Sequence, residues 1–362
     1  MTKWSWQLKN WPKFVFDVEA LKALESRFLT NAGLFSGVLV HASDDNKNAL
    51  KISLIGSEAY KTSEIEGEIL DRESLQSLIR RNFGLASSSI KKDTKLAEEG
   101  IAAMMTDLYL NYEKPLTHSQ LFSWHKMLMQ GHSNLKIGAY RTNADAMQVV
   151  SGKIHQPTIH FEAPPSSQVK DEMDEFIKWF NDNTNLPALT RAALAHLHFI
   201  LIHPFEDGNG RIARALTMKA LSQGTQQSSL ISLSHVIQSK KKNYYAALED
   251  NNKNLKIDDW IEYFAQTILE AQQHSQNLLE LVITKSKMFQ NLEINIRQKK
   301  VLNRMFAQEL IGGFEGGLSA DNYLSITKTS RATATRDLQD LLAMKALKKV
   351  GEGRWTRYFL EI

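Results

Sequence analysis

The sequence contains no cysteine, which removes disulfides, thiolate nucleophiles and cysteine-ligated zinc in one step. No apolar run reaches the length of a membrane span. The first residues, with Trp4, Trp6 and Trp11 set among Lys and Asn, lack the apolar centre of a signal peptide. A soluble, cytoplasmic protein without membrane contact is therefore expected. Net charge is small as well: a formal +4 is too mild to define a nucleic-acid binder, so any such reading must rest on local clustering.

What the chain does have is length and helical period. Its 362 residues suffice for two or three domains, and 43% hydrophobic residues supply a sizeable core. After an aromatic arm interrupted by Pro12, Asp17 is placed to cap a helix carrying Leu21, Leu24 and Phe28, with Gly33 placed to end it. Helical stripes follow at residues 46–66, 73–82 and 96–112, with a polar loop at 86–92. Thr117 and Gln120 have capping-box spacing and open another helix. Between residues 138 and 165 the period changes to short β-branched runs at 147–151 and 157–161 around Gly152, which predicts a hairpin. Ser166 then stands ready to cap a helix with Met173, Phe176, Ile177 and Phe180 on one face. The fold class is mainly α.

Two apolar helical runs, 189–202 and 212–221, flank HPFEDGNGRIAR at residues 203–214. Asp207-Gly208-Asn209-Gly210 has turn chemistry, so its amides can converge at the start of the second helix and form an anion site strengthened by the helix dipole. His203 precedes this nest, Asp207 lies in it, and Arg211 and Arg214 follow on one helical face. These are the parts needed to hold a polyphosphate with a divalent metal and to deprotonate a hydroxyl beside it. His196 and His198, two residues apart on different faces of the preceding helix, do not form a metal pair.

The signature resembles that of the Fic family, HxFx(D/E)GNGRxxR, at every fixed position. The resemblance implies a Fic-type helical bundle whose hairpin is a flap, and transfer of AMP from ATP onto a Ser, Thr or Tyr hydroxyl of a protein. In that reading His203 is the general base and Asp207 holds Mg²⁺. Gly208, Asn209, Gly210, Arg211 and Arg214 bind the phosphates, while Tyr245 and Asn252 line the base. Thr62, Glu66 and Gly67 match the family's inhibitory pattern (S/T)xxxE(G/N), in which a carboxylate occupies the arginine meant for the nucleotide. The protein substrate is expected to lie along the 147–161 hairpin by strand addition. Removal of AMP from a modified protein, use of another donor, or nucleotide sensing by a DNA-binding regulator are the alternatives.

Lys240-Lys241-Lys242 reads as a solvated face, and Asp258 or Asp259 starts a long helix to about residue 289. The C-terminal pattern changes: helices around 296–310, from Ser319, and 330–344 alternate with a glycine-rich turn at 312–317 and two short runs, 347–350 and 357–360. This resembles a winged helix-turn-helix, with Arg331, Thr333, Thr335 and Arg336 on its second helix and Arg354 and Arg357 in the wing. Such a unit contacts DNA or docks protein; it and the aromatic arm both offer surfaces for a homodimer. The expected organisation is 1–105 (helical, with the inhibitory helix at about 46–67), 106–285 (Fic core) and 286–362 (winged helix).

Overall fold

A computed structural model describes residues 3–85, 95–153, 156–309 and 316–362. The polar loop at 86–92 lies outside the described residues, as does most of the glycine-rich turn at 312–317. The chain divides into two compact units, one of Met1–Gly37 with Leu54–Ser275, the other of Val38–Ser53 with Gln276–Ile362. Both are mostly helical.

Helices α1 (Lys22–His41) and α2 (Asp44–Ile65) lead into α3 (Arg72–Asn82), α4 (Leu96–Leu110) and α5 (His118–Leu128). An antiparallel hairpin of β1 (Gln148–Lys153) and β2 (Gln156–Glu162), with a register shift at Val149/Val150, precedes α6 (Val169–Asp182) and α7 (Ala188–Ile202). Then come α8 (Asn209–Thr225), α9 (Leu233–Ser239), α10 (Lys241–Asp250) and α11 (Asp258–Asn291). The second unit adds α12 (Ile296–Glu309), α13 (Ala320–Thr327), α14 (Arg331–Ala343) and the antiparallel pair β3 (Leu347–Val350) and β4 (Arg357–Leu360). Among the described residues, no helix is long and apolar enough to cross a membrane.

Local chemistry accounts for several boundaries. Asp71, Thr117, Ser319 and Ser330 each accept a backbone N–H of the first turn that follows, so the starts of α3, α5, α13 and α14 are capped by side chains. Two expectations fail. Gly33 does not end α1, which continues to His41, because a glycine stops a helix only where the backbone turns left-handed, and Gly33 keeps a negative φ. Ser166 does not cap α6 either: a turn from Pro165 to Gln168 intervenes, and Val169 opens the helix without a side-chain cap.

The two helices that flank residues 203–208 form the centre of the first unit. Every residue of α7 except Ile200 is buried, as is most of α8, and a helix apolar on all sides belongs in the middle of a bundle. The aromatic arm folds into turns rather than a strand. It clasps the same unit through Trp6 Nε1 to the Glu162 carbonyl (2.7 Å) and Trp11 Nε1 to the Glu172 carboxylate (2.8 Å), while Trp11 and Phe14 pack edge-on against the buried His198 ring.

This core holds ionisable groups out of their ordinary states. Burial pushes the His125 imidazole down to about 4 and those of His196 and His198 to about 3, whereas burial raises the Glu58 carboxyl to about 7. The histidines therefore contribute stability that is present above the unfolded pKa near 6.5 and lost as the pH falls, because the unfolded chain takes up protons the native core refuses. Glu58 acts in the opposite sense, since its stabilising protonated form is lost as the pH rises from about 4.5 through 7. With His203 and His235, which burial also holds near 4, five histidines outweigh one glutamate, so unfolding near pH 5.5 is expected to take up between about three and four protons net. The urea midpoint should be lower at pH 5 than at pH 7; equal midpoints would contradict this account.

Candidate active site

The signature loop joins α7 to α8, and its first residue is strained. His203 caps α7 at φ 50°, ψ 59°, a left-handed conformation uncommon for a side chain of this size. Its Nδ1 lies 3.3 Å from the Ile200 carbonyl, which fixes the proton on Nδ1 and leaves Nε2 as the basic nitrogen. Burial lowers its pKa to about 4; the neighbouring Arg141 also lowers it, and Glu66 and Asp207 pull weakly the other way. At neutral pH the imidazole is thus uncharged and able to accept a proton.

Beyond His203 the loop is held from within. Phe205 is fully buried and stacks on His125 at 4.2 Å. The amide of Asn209 is expected to reach phosphate, but its Oδ1 accepts from Phe205 N (3.0 Å) and its Nδ2 donates to Phe205 O (2.8 Å). Both polar atoms of that side chain close the loop, so what position 209 offers an anion is its backbone N–H. Gly208 precedes α8 at φ 80°, a left-handed conformation that favours glycine; a Cβ there would also press on the movable end of the Met129 side chain. The amides of Asn209, Gly210 and Arg211 lie in the first turn of α8, where no intrahelical acceptor exists, and form the anion cradle.

Asp207 is half exposed at the mouth of this cradle. Its Oδ1 accepts from Gly208 N (2.6 Å), and its Oδ2 is 3.7 Å from Arg211 Nη2. A single carboxylate beside an anion loop is a donor set that fits Mg²⁺, which takes one or two protein carboxylates and completes its shell with phosphate oxygens and water.

The two arginines are both engaged by the end of α2. Arg214, 1% exposed, donates from Nε to Thr62 Oγ1 (2.6 Å) and from Nη2 to the Thr62 carbonyl (3.0 Å) and Glu66 Oε1 (2.7 Å). Arg211 donates from Nη1 to Glu68 Oε2 (2.7 Å). Gly67, between the two acids, ends the helix at φ 87°. A Cβ on Gly210 would collide with Glu66 Oε1, so the carboxylate fills the mouth of the cradle.

Of the residues singled out from sequence, His203, Asp207–Arg211, Arg214, Thr62, Glu66 and Gly67 come together here. Tyr245, 41% exposed, lies on α10 one position beyond Tyr244, whose hydroxyl contacts His196 at 2.7 Å. Asn252 is directed elsewhere: its Nδ2 donates to the His160 carbonyl of β2 (2.8 Å), leaving its buried Oδ1 without a protein partner. The lysine run is not wholly a solvated face, because Lys241 Nζ donates to the Ile65 carbonyl at the end of α2. The hairpin is fastened by His160 Nδ1 to Glu249 (2.9 Å) and exposes Val149, Val150 and Ile159.

Two participants escape sequence reasoning. Glu68 is one, an acid two residues past Glu66 with no pattern of its own. Arg141 is the other. It is 2% exposed, and its guanidinium donates to the carbonyls of His203 (2.8 Å) and Pro164 (2.5 Å), while its backbone N–H donates to Pro204 O (3.0 Å). It thereby braces the strained His203 backbone and ties it to the chain leaving β2. Arg141→Met is expected to lower kcat about 100-fold with KM for nucleotide changed little, since misplacing a reacting group by about 1 Å has that cost. Arg141→Lys should recover part of the loss. A fall confined to KM would assign Arg141 to binding instead.

Fold and site together define a helical-bundle protein with an anion-binding loop whose arginines are occupied by the protein's own carboxylates. Residues 115–221 match the Fic/DOC family, and residues 4–85 match a domain of unknown function, DUF4172. The Fic resemblance is thus shown for the segment that carries the signature, residues 115–221. It is 24% identical over 161 residues to the protein adenylyltransferase fic-1 of Caenorhabditis elegans, an alignment that covers 43% of this chain and 30% of the worm protein. It is 25% identical over 179 residues to the protein adenylyltransferase Fic of Drosophila ananassae, covering 49% of this chain and 34% of the fly protein. The chain thus spans about a third of the length of these relatives. In fold it is similar to a Fic family protein from Desulfovibrio desulfuricans G20, with a TM-score of 0.57 at 20% identity over 96% of this chain and 98% of that one.

Proposed function

We propose that this protein is an adenylyltransferase that moves AMP from ATP to a hydroxyl of a protein, and that Glu66 restrains it. The observation that carries the reading is the engagement of Arg214 by Thr62 and Glu66 at the edge of an intact anion loop. A guanidinium so placed is the natural partner of a nucleotide's terminal phosphates, and an internal carboxylate upon it competes with them. In the active state the amides of residues 209–211 hold the phosphates, and Arg211 and Arg214 neutralise charge growing on the pyrophosphate. Nε2 of His203 takes the proton of the target hydroxyl as its oxygen bonds to the α-phosphorus and the bond to pyrophosphate breaks. Asp207 would hold Mg²⁺, which when bound neutralises phosphate charge and orients it. Tyr245 offers its ring to the base. The hairpin, with β-branched side chains exposed, suits a target segment laid along it by main-chain pairing.

The test is incubation with ATP labelled on the α-phosphate and Mg²⁺, followed by mass spectrometry of the protein itself and of added lysate. An increment of AMP on a Ser, Thr or Tyr supports the reading. Absence of label from both the native chain and its Glu66→Gly variant would overturn it.

A further inference from the structure

The second unit carries a feature that the transfer reaction does not use. Leu318, two residues before α13, exchanges both backbone hydrogen bonds with Tyr358 of β4 at 2.8 Å. The order is therefore helix α12, a strand stub, helices α13 and α14, then the hairpin β3–β4, all closing on one core that includes Leu302, Phe306, Tyr323, Leu338 and Leu347. Asp337 fixes α14 within it, accepting from Tyr323 Oη (2.9 Å), Arg297 Nε (2.7 Å) and Asn295 Nδ2 (2.9 Å). Between α13 and α14 the chain turns in three residues, through Lys328 at φ 52° and Ser330, whose Oγ caps α14. Two helices joined so tightly, with a hairpin beside the second, form a winged helix-turn-helix.

Its outer face is polar and cationic. On α14 the side opposite buried Ala334, Leu338 and Leu341 exposes Arg331, Thr335, Arg336 and Gln339. At the tip of the hairpin Trp355 is 67% exposed with the Arg354 guanidinium 5.0 Å from its ring. Residues 293–362 hold twelve Lys and Arg against eight Asp and Glu, which accounts for the whole +4 of the chain. Two acids moderate the face: Asp340 is exposed on α14, and Asp321 lies 3.8 Å from Arg331. What favours nucleic acid is charge: cations outnumber acids in this unit, and its arginines are exposed on the helix and in the wing, as a phosphate-tracking surface requires.

We propose that this unit binds duplex DNA, with the amino-terminal half of α14 in the major groove and the Arg354–Trp355 wing against the adjacent backbone. The proposal is independent of the adenylyltransferase reading. The full chain is titrated into a fluorescein-labelled pool of random duplexes of about 30 base pairs at salt from about 50 to 200 mM, with anisotropy as the readout. Binding is expected to be micromolar or tighter at the low end and to weaken steeply with salt. A variant with Arg331, Arg336 and Arg354 all changed to Ala, at surface positions that leave the core intact, is expected to bind at least about 10-fold more weakly with a shallower salt dependence. Its melting temperature and AMP transfer should be unchanged. No binding at about 50 mM salt, or a triple variant indistinguishable from the native chain, overturns the proposal. So does loss of a dimer in the variant without any DNA binding by the native chain, which would make the face a protein contact.

Discussion

His203→Ala is expected to reduce AMP transfer by about 10²- to 10⁴-fold, the usual contribution of a general base, while ATP affinity changes by no more than a few-fold. Among the described residues the imidazole bonds only to the Ile200 carbonyl, through Nδ1, and no amide of the cradle depends on its ring. Because burial holds its pKa near 4, the acid limb of kcat/KM in the free enzyme should fall near that value and not near 6.5. One complication has a structural remedy. His203 sits at φ 50°, where alanine is strained by roughly 1–2 kcal/mol but asparagine is tolerated. His203→Asn is therefore the variant that removes the base and keeps the loop; it should be as inactive as the alanine variant and bind ATP as the native chain does. Transfer at the native rate by either variant, measured by incorporation of labelled AMP, would eliminate His203 as the base.

Glu66→Gly is expected to act in the opposite direction and raise AMP transfer by about 10- to 100-fold. A hydrogen bond to a charged partner contributes roughly 1.5–3 kcal/mol, and the variant deletes the acceptor that closes the cradle while Thr62 keeps its two contacts with Arg214. Arg211 also remains held by Glu68, so the single change releases only part of the restraint. Glu66→Gln, which keeps the shape and loses the charge, should fall between the native chain and the glycine variant. Initial rates at saturating ATP decide the matter. An unaltered rate would remove Glu66 from control of transfer, and a lower one would make its carboxylate a participant, as in positioning water for removal of AMP.

Much of this was legible because it is local. The caps Asp71, Thr117, Ser319 and Ser330 act within three residues of themselves, and β3 and β4 coincide with the apolar-basic runs that predict them. The signature is legible for the same reason: twelve consecutive residues hold the base, the acid, the glycines and both arginines. Arg141 is hidden because its work is done 62 residues away, on the His203 carbonyl, and nothing in its own neighbourhood marks it. Asn209 misleads in a different way. Its amide is the right chemistry for phosphate, but the loop must first satisfy the buried backbone of Phe205, and that demand takes both of its polar atoms. Gly33 shows that a residue able to end a helix does not do so unless the backbone turns there.

The close approach of Glu66 Oε1 to Gly210 bears on how such a protein can change over generations. On the proposed reading, the missing Cβ leaves one opening for both the phosphates and the Glu66 carboxylate. A larger residue at 210 that expelled the carboxylate would also shut out the nucleotide, and a change at Arg214 would discard the charge for which both compete. On that reading, single substitutions in residues 62–68 are expected to release the restraint with catalysis preserved, whereas substitutions in the signature are expected to cost catalysis as well.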